Sequence, residues 1–471
     1  MTISKIMLVY PNFKWSDWMR RTLWELHPYN LCLLSAMIDK KYDVKIVDAS
    51  KDDLTEEKFA ELIKIEKPDI VGISVLTNEY QGCGLIAAKT AKKVDKNIKI
   101  IMGGVNATSI PLSLIKDTNV DYVVVGEGEY VFKELCDYFN GDCELPKKGI
   151  VYKKNGEVID TGRADFIENL DDLPLPSYHK VDFMKYADEI QRVGVDRARD
   201  LPYAHIVTSR GCPFDCCFCE TDKLSGKKFR SRSPENVIAE IDFLIKNYGI
   251  KTLIFDDDNL LNDKERAKKL FRLMISRKLK WMSQLAIYKL DHEMVELMKE
   301  SGCQYVNPSF ESGVQRVLNE IINKPLNLDH GKKMVQKLKQ FGIDVAVNFV
   351  IGFPGETWLE IRQSLKFAEE LGADYIKIFI ATPLSNTRLY EVAKKQKQLV
   401  KDFSFEKHPW TDGCIETKDF RPQDLKILRA YEWDRINFSN PIKKKKVLEM
   451  MGVSEKVLDE IRQETFMRAN P

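Results

Sequence analysis

Short runs of continuously apolar residues alternate with amphipathic stretches along most of this 471-residue chain. In the N-terminal part the apolar runs are 6–10, 44–47, 70–76, 98–102 and 122–125. Between them lie helix-like segments at 30–40, 55–65, 82–94 and 112–116. Runs that are apolar throughout and joined by helices are typical of parallel strands covered on both faces. The sequence therefore predicts a doubly wound, five-stranded α/β domain over residues 1–145.

A second alternation with a longer period begins near residue 205. Its strand candidates are 205–209, 252–256, 281–287, 305–309, 345–351 and 375–381. Helix-like stretches such as 234–248, 264–277 and 330–341 separate them. Six successive βα units predict a partial, TIM-like (β/α)6 barrel over residues 201–400, with its chemistry at the carboxyl ends of the strands.

Two other segments do not follow either alternation. Residues 146–200 contain a hairpin pattern around Asn155 and Gly156, followed by a stiff Pro-rich stretch, and are predicted to be a hairpin and linker. Residues 401–471 are predicted to form a mostly helical C-terminal cap, with helices near 421–435 and 454–467. The four consecutive lysines of 443–446 are predicted to lie on a solvated face.

Charge and hydropathy exclude some classes of protein. Lys and Arg number 73 and Asp and Glu 71, a net charge of +2, which argues against a strongly basic nucleic-acid binder. No apolar run approaches the roughly 18 residues that a membrane-spanning helix needs. We therefore expect a cytoplasmic protein whose ten cysteines stay reduced and need a reason other than disulfides.

Four of the ten cysteines fall within residues 212–219, directly after the first strand of the second alternation. Cys212, Cys216 and Cys219 have the spacing Cys-x3-Cys-x2-Cys, which lets one loop turn three thiolates toward one point. Thiolates are the usual protein ligands of iron–sulfur clusters. Three thiolates on a four-iron cluster leave one iron open to a substrate.

Zinc is the alternative ligand of such cysteines. A structural zinc ion takes four closed ligands, usually as two Cys or His pairs. Cys303 and Cys414 are isolated and the six histidines do not pair, so the pattern favours the iron–sulfur cluster. Cys217 has the wrong spacing and is predicted to be a packing residue.

The cysteine loop resembles that of the radical S-adenosylmethionine (SAM) superfamily. The resemblance implies that Cys212, Cys216 and Cys219 hold a 4Fe-4S cluster whose open iron chelates SAM. In that family an electron from the cluster, supplied by a donor such as flavodoxin or ferredoxin, cleaves SAM to methionine and a 5′-deoxyadenosyl radical. The aromatic residue before the last cysteine, here Phe218, commonly lies near the adenine.

Later segments resemble the same superfamily and come in the expected order. Glu311 and Ser312, in the sequence 310–313, match a Glu-Ser-Gly segment near the ribose of SAM. Gly352 and Glu356 belong to a Gly-x-Pro-Gly-Glu-Thr loop. The resemblance also suggests a carboxylate in the acidic run 255–259 near the methionine amino group, with an exposed acidic turn as an equal alternative.

The N-terminal domain resembles Rossmann-like cobalamin-binding domains. Ser74 and Leu76 match a Ser-x-Leu segment at the end of the third strand, and Gly103 and Gly104 match a Gly-Gly segment at the end of the fourth. Gly126, at the end of the fifth strand, fits the same ligand edge. The resemblance implies a bound cobalamin, whose nucleotide tail needs small residues between strand ends and helix starts.

The sequence departs from cobalamin folds that ligate cobalt through histidine. Those folds carry Asp-x-His-x-x-Gly after the first strand, where this chain reads 10–15 as YPNFKW. The nearby His27 lies outside that motif. We therefore expect no protein imidazole on the cobalt.

Together the resemblances imply a cobalamin-dependent radical SAM enzyme that methylates an unactivated carbon of a small-molecule or biosynthetic-intermediate substrate. The main alternative is a non-methylating cyclase, rearrangement enzyme or oxidoreductase on the same cofactors. A tRNA methylthiotransferase is disfavoured, because the cysteines that could hold a second cluster are scattered at 32, 83, 136 and 143. A non-catalytic cobalamin-binding protein is disfavoured by the complete cysteine motif.

Overall fold

The computed structural model of the protein describes residues 3–16, 26–188, 195–405 and 410–470. The chain forms two compact units. The first comprises the described residues up to Tyr186 together with Lys223–Gly226, and the second comprises the remainder. The sequence-predicted boundaries at 145, 200 and 400 stay predictions. The described part of the chain contains no helix whose length and apolar character would let it span a bilayer.

Within the described residues of the first unit, seven strands form one sheet in the order β2-β1-β3-β4-β5-β6-β7. The strands are β1 Lys5–Tyr10, β2 Asp43–Asp48, β3 Ile70–Ser74, β4 Lys99–Gly103, β5 Tyr122–Val124, β6 Ile150–Lys154 and β7 Glu157–Asp160. The first five are parallel, as predicted. The predicted hairpin exists, but it pairs antiparallel with β5 and extends the sheet, so five strands was too few. This pairing satisfies the backbone groups that β5 would otherwise expose at a sheet edge.

Helices cover both faces of this sheet. Met7 and Val9 of β1 lie in one core cluster with residues of α2 and α3, whereas Ile6 and Leu8 lie in a second cluster with residues of α1 and α6. The alternation follows the two-residue period of a strand, and it confirms the doubly wound prediction. The helices of this unit are α1 Tyr29–Ile38, α2 Glu56–Glu66, α3 Gln81–Val94, α4 Val105–Ser109, α5 Pro111–Leu114, α6 Gly128–Asn140 and α7 Met184–Ala187.

Two helix predictions differ from the structure of this unit. The predicted helix at 112–116 corresponds to α5, which begins at Pro111 because proline is favoured in the first turn of a helix, and which ends at Leu114. The short helix α4 before it was not predicted. Helix α6 was missed, because the glycines at 126 and 128 obscured the start of its strong apolar period.

Within the described residues of the second unit, six parallel strands form a sheet in chain order. They are β8 Tyr203–Ile206, β11 Thr252–Phe255, β12 Lys280–Leu285, β13 Cys303–Glu311, β14 Asp344–Ile351 and β15 Tyr375–Ile380; the short pair β9 Ser209–Arg210 and β10 Arg230–Ser231 forms a separate ladder. The helices from residue 221 onward are α8 Thr221–Leu224, α9 Pro234–Tyr248, α10 Lys264–Ile275, α11 His292–Glu300, α12 Leu328–Gln340, α13 Trp358–Glu370, α14 Arg388–Lys395, α15 Pro422–Phe438, α16 Pro441–Met451 and α17 Glu455–Ala469. A helix joins each strand to its neighbour, which confirms the (β/α)6 prediction.

Helix α15 covers the edge strand β15. The side chain of Asn437 accepts from Ile376 N at 2.8 Å and donates to Ile376 O at 2.8 Å. Arg429 Nε donates to Ile378 O at 2.8 Å. These contacts pair three outward backbone groups of this edge within the chain, which disfavours the addition of another strand there.

The lysine run 443–446 lies on α16, a helix that the sequence analysis did not predict. Lys446 forms an ion pair with Asp344 at 2.7 Å and Lys444 forms one with Glu455. Burial lowers the pKa of Lys443 to about 8. The prediction of a solvated face therefore holds for the exposed Lys445 and is wrong for the other three lysines, which are partly buried beside acidic neighbours.

Candidate active site

The cysteine loop leaves the carboxyl end of β8 and is tied to loops that follow three other strands. Gly211 N donates to the Asp258 carboxylate at 2.9 Å, beyond β11. Cys217 N donates to Ile322 O at 2.8 Å, beyond β13, and Leu389 N donates to Cys217 O at 2.8 Å, beyond β15. These contacts fix the loop at the end of the sheet where the sequence placed the chemistry.

Cys212, Cys216 and Cys219 are partly exposed, whereas Cys217 is buried, as its predicted packing role requires. Burial raises the pKa of all three motif thiols, that of Cys216 to about 12. Thiols in such surroundings become thiolates when metal binding displaces their protons. Within the described ranges, no three His, Cys, Asp or Glu side chains are grouped closely enough to ligate one metal ion. A four-iron cluster instead takes each thiolate on a different iron, so the donor set fits a cluster.

Glu311 ends β13 and carries an unusual backbone. The register of β13 with β14 shifts between Ser309 and Glu311, and Glu311 adopts a left-handed conformation with φ of 68°. A non-glycine residue pays for this conformation with backbone strain, which persists where surrounding structure imposes it. Its buried carboxylate accepts from Lys324 Nζ at 2.9 Å.

The sequence analysis did not identify Lys324, because a lysine in a polar stretch of sequence looks the same whether it is exposed or buried. Burial opposes its charge, but the Glu311 carboxylate and the Cys216 thiol outweigh burial and raise the pKa of Lys324 above its ordinary value. The ion pair with Glu311 therefore favours the protonated, positively charged form of Lys324 near Cys216.

Phe218 packs against Phe353, whose ring centroid lies 5.9 Å away. Phe353 belongs to the loop after β14, where Gly352 N and Phe353 N donate to the Glu356 carboxylate at 2.7 and 3.1 Å. Gly352 has φ of +90°, and a Cβ there would lie 2.4 Å from Leu425. The structure thus brings Phe218, Gly352 and Glu356 together through Phe353, and their contacts with SAM stay predictions.

Ser312 is fully buried and serves the loop itself. Its hydroxyl lies 2.9 Å from the Ser364 hydroxyl on α13 and accepts from Val314 N at 3.1 Å. Gly313 N also donates to Ser364 at 3.0 Å. The predicted contact of Ser312 with the ribose of SAM remains a prediction.

The acidic run after β11 is not an exposed turn throughout. Asp257 is buried and accepts from Thr208 Oγ1 at 2.7 Å, so that part of the run supports the stem of the cysteine loop. Asp256 lies 2.7 Å from His205 Nδ1. The expectation of an exposed acidic turn is therefore wrong for Asp257, because three donors from the cysteine-loop stem surround its carboxylate.

In the first unit, the small residues of the predicted ligand edge lie at the carboxyl ends of adjacent strands. Ser74 of β3 is in register with Gly103 of β4. Gly104 has φ of +93°, and a Cβ there would lie 2.7 Å from Val75 O. Among the described residues, a Cβ added at Gly103 would meet only Val124 Cβ, at 4.0 Å, so this part of the chain leaves room beside Gly103.

Polar groups accompany this edge. Asn30 Nδ2 donates to Ser74 Oγ at 3.2 Å, and Asn106 Nδ2 donates to Asn78 Oδ1 at 2.9 Å. Asn106 is fully buried, and its Oδ1 has no hydrogen-bond partner within the described part of the chain. An unpaired buried acceptor beside an open strand end fits a ligand that brings a donor there.

Two other predicted residues are placed differently. Leu76 packs partly buried against the core on the α2 and α3 face. Gly126 lies beyond β5 with φ of +102°, but a Cβ there would meet Arg163 Cγ at 3.1 Å, so this glycine faces protein rather than open space. Their contacts with cobalamin stay predictions.

Models of two protein families match this chain. The B12 binding domain matches residues 20–136, and the Radical SAM superfamily matches residues 206–368. The uncharacterized methyltransferase PH0819 of Pyrococcus horikoshii is 35% identical over 442 residues, which cover 91% of this chain and 92% of that protein. The chain belongs to the cobalamin-dependent radical SAM enzymes.

One further relative and one solved structure are similar to this radical SAM enzyme. The cytidylyl-2-hydroxyethylphosphonate methyltransferase of Streptomyces wedmorensis is 29% identical over 443 residues, 83% of this chain and 82% of that protein. The solved structure of the radical SAM methyltransferase TsrM from Kitasatospora setae, with cobalamin and a 4Fe-4S cluster bound, superposes with a TM-score of 0.73. It is 17% identical and covers 100% of this chain and 99% of that one, so it establishes the shared fold.

Proposed function

We propose that this radical SAM enzyme uses its cobalamin to methylate an unactivated carbon of a small-molecule substrate. The observation that carries the proposal is the presence, in one chain, of a three-cysteine loop with a buried Glu311–Lys324 pair and of a separate glycine edge suited to cobalamin. The methyltransferase relatives support the same reaction class.

The chain's own residues would divide the work as follows. Cys212, Cys216 and Cys219 would hold the cluster, and Glu311 would accept hydrogen bonds from SAM. Lys324 would offset the negative charge that the thiolates bring into a partly buried loop. When bound, the cluster would supply the electron that cleaves SAM, and cobalamin would carry the methyl group.

The reaction balances with two molecules of SAM for each methyl group. One SAM takes up an electron and is cleaved to methionine and a 5′-deoxyadenosyl radical. This radical takes a hydrogen atom from the substrate and becomes 5′-deoxyadenosine. The second SAM provides the methyl group and leaves as S-adenosylhomocysteine, and a second electron completes the balance. The substrate exchanges a C–H bond for a C–CH3 bond, and no proton is released. A reduced flavodoxin or ferredoxin would supply both electrons.

The test is anaerobic turnover of the reconstituted holoenzyme with SAM that carries a trideuterated methyl group. The first candidate substrate is cytidylyl-2-hydroxyethylphosphonate, because a relative acts on it, followed by a fractionated small-metabolite extract. We expect a product with a deuterated methyl group and equal amounts of 5′-deoxyadenosine and S-adenosylhomocysteine. Cys216→Ala serves as the control that should yield none of these.

Release of 5′-deoxyadenosine with a product that carries no added methyl group would contradict the proposal. It would support the non-methylating alternative, since that chemistry consumes one SAM and forms no S-adenosylhomocysteine.

We further propose that cobalamin binds without a protein imidazole on the cobalt. Asn12 stands where the cobalt-ligating motif has its histidine. Its side chain accepts from Lys14 N at 2.9 Å and donates to Leu54 O at 3.0 Å. His27 packs among the rings of Tyr29, Tyr178 and Phe183. The resonance spectrum of the reduced cobalt should lack nitrogen splitting from an imidazole and should be unchanged in His27→Ala. Imidazole splitting that disappears in His27→Ala would overturn this assignment.

A further inference from the structure

Asp257 lies under the stem that leads from β8 to the cysteine loop. Its carboxylate accepts from Thr208 Oγ1 at 2.7 Å, from Thr208 N at 3.2 Å and from the Ser209 hydroxyl. Only 7% of Asp257 is exposed. A buried carboxylate with donors on two consecutive residues holds both their backbone and their side chains in one arrangement.

Arginines hold the same stem through its carbonyl groups. Arg266 Nη2 donates to Thr208 O at 2.9 Å, and Arg266 Nε donates to Arg232 O at 2.9 Å. Arg232 N donates to Thr208 O at 3.0 Å, and Arg232 Nη1 donates to Val207 O at 3.2 Å and pairs with the buried Glu240 carboxylate. The backbone amide of Thr208 therefore donates to the Asp257 carboxylate, and its backbone carbonyl accepts from the Arg266 guanidinium.

The stem lies closer in sequence to Cys212 than to the other two cysteines of the motif. Cys212 follows Ser209 after only Arg210 and Gly211, and Gly211 N is held by Asp258. Cys216 and Cys219 instead flank Cys217, whose backbone is tied to Ile322 and Leu389. The two ends of the cysteine motif are thus fixed by different parts of the barrel, and the Asp257 network fixes the end that carries Cys212.

We propose that Asp257 is a positioning residue for the cluster: through Thr208 and Ser209 it sets where Cys212 stands relative to Cys216 and Cys219. The proposal rests on the cluster proposed above and adds that Asp257, the buried member of the acidic run after β11, acts through the protein rather than by contact with SAM. Residues that orient metal ligands from outside the coordination shell control both the affinity and the electronic properties of a metal site.

The test compares Asp257→Ala and Asp257→Asn with the wild-type chain after anaerobic reconstitution. We measure iron and sulfide content, the rate at which a chelator removes iron, and the low-temperature resonance spectrum of the reduced cluster. Asp257→Ala should lose iron to the chelator roughly tenfold faster and show a shifted or broadened spectrum. Asp257→Asn keeps an oxygen acceptor for both hydroxyls and should recover most of the iron content.

The matched control is Asp344→Asn. Asp344 is a largely buried carboxylate, with 13% of its side chain exposed, that pairs with Arg199 and Lys446. It lies at the amino end of β14, away from the cysteine loop. This control should lower the melting temperature of the apo protein without changing the cluster spectrum. If both variants lose iron in proportion to their loss of melting temperature, Asp257 has only a general structural role and the proposal is wrong.

A double variant covers the case in which Asp257→Ala does not fold. Thr208→Val with Ser209→Ala removes the hydroxyl donors and leaves the Asp257 carboxylate near Arg266. It should reproduce the faster iron loss and the changed spectrum, and a wild-type spectrum and iron content would overturn the proposal. These readouts report on the cluster and do not depend on methyl transfer. If the cluster assembles but the proposed methylation does not occur, they still test the role of Asp257.

Discussion

Lys324 Nζ lies 2.9 Å from the Glu311 carboxylate, and both side chains are almost fully buried next to the cysteine loop. Thirteen residues separate them in sequence, and the left-handed conformation of Glu311 at the end of β13 aims its backbone out of the regular strand. The pair places a carboxylate that can accept hydrogen bonds beside a cation that balances the thiolates. Each charge is costly alone, because removing one partner leaves the other buried without compensation.

The first prediction concerns SAM binding. Glu311→Ala should weaken the affinity for SAM, measured by anaerobic equilibrium dialysis of the reconstituted protein. A hydrogen bond to a charged group contributes ~1.5–3 kcal/mol, which corresponds to roughly tenfold or more in Kd. The control is Glu320→Ala, because the exposed Glu320 carboxylate pairs with Arg316 at 3.5 Å on the same stretch of chain. An unchanged Kd for Glu311→Ala would remove Glu311 from the SAM site.

The second prediction concerns the cluster ligands. Alanine at Cys212, Cys216 or Cys219 should abolish the 4Fe-4S cluster, whereas Cys217→Ala should retain it. The backbone amide and carbonyl of Cys217 tie the loop to Ile322 and Leu389, and alanine keeps both groups. Iron and sulfide analysis with low-temperature electron paramagnetic resonance measures the outcome. A full cluster in Cys216→Ala would show that the ligand set is wrong.

The sequence predicted the strands of both units well, because buried parallel strands are apolar throughout and their number is legible from the alternation. It placed the cysteine loop correctly because the spacing of Cys212, Cys216 and Cys219 is itself the signal. It did not show that the hairpin near Asn155 joins the first sheet, since edge pairing depends on which neighbouring strand has free backbone groups.

The polar interior was the least predictable part. Lys324 and Asp257 are buried in the structure, yet their sequence neighbourhoods are those of surface residues. A charged side chain enters the interior only when a distant partner compensates it, and for Asp257 the partners come from 49 residues away in sequence. The local pattern of apolar and polar residues does not indicate which distant residue will pair with a buried charge.

The third prediction concerns cobalamin. Gly103→Ala should lower the amount of hydroxocobalamin that co-elutes with the protein, while the melting temperature of the apo protein stays unchanged. The reason is that an added Cβ there meets only Val124, at 4.0 Å, among the residues that the structure describes, so we expect it to disturb a ligand rather than the fold. Gly82→Ala is the control, because its Cβ would lie 3.7 Å from Ser16 in ordinary contact. Equal cobalamin retention in both variants would place the corrinoid elsewhere.

The fourth prediction concerns the pH dependence of stability, through Glu356. This carboxyl is fully buried, and none of the residues that the structure describes forms a hydrogen bond with its Oε1. Its other oxygen accepts from two backbone amides. Burial raises the pKa of Glu356 to about 7, from an ordinary value of 4.5. The folded state therefore holds this proton more tightly than the unfolded state does.

The sign of the effect follows from proton linkage. Below pH 4.5 both states are protonated and the contribution of Glu356 to stability is fully present. As the pH rises to about 7 only the unfolded state ionises readily, so stability falls by roughly 3 kcal/mol, and no further change follows once both states are ionised. Glu356→Gln keeps the acceptor for Gly352 and Phe353 but cannot ionise. The difference in unfolding free energy between this variant and the wild-type apo protein should therefore shift in favour of the variant between pH 4.5 and pH 8, as measured by denaturant titration. A difference that does not change with pH would show that Glu356 is ionised at the same pH in both states.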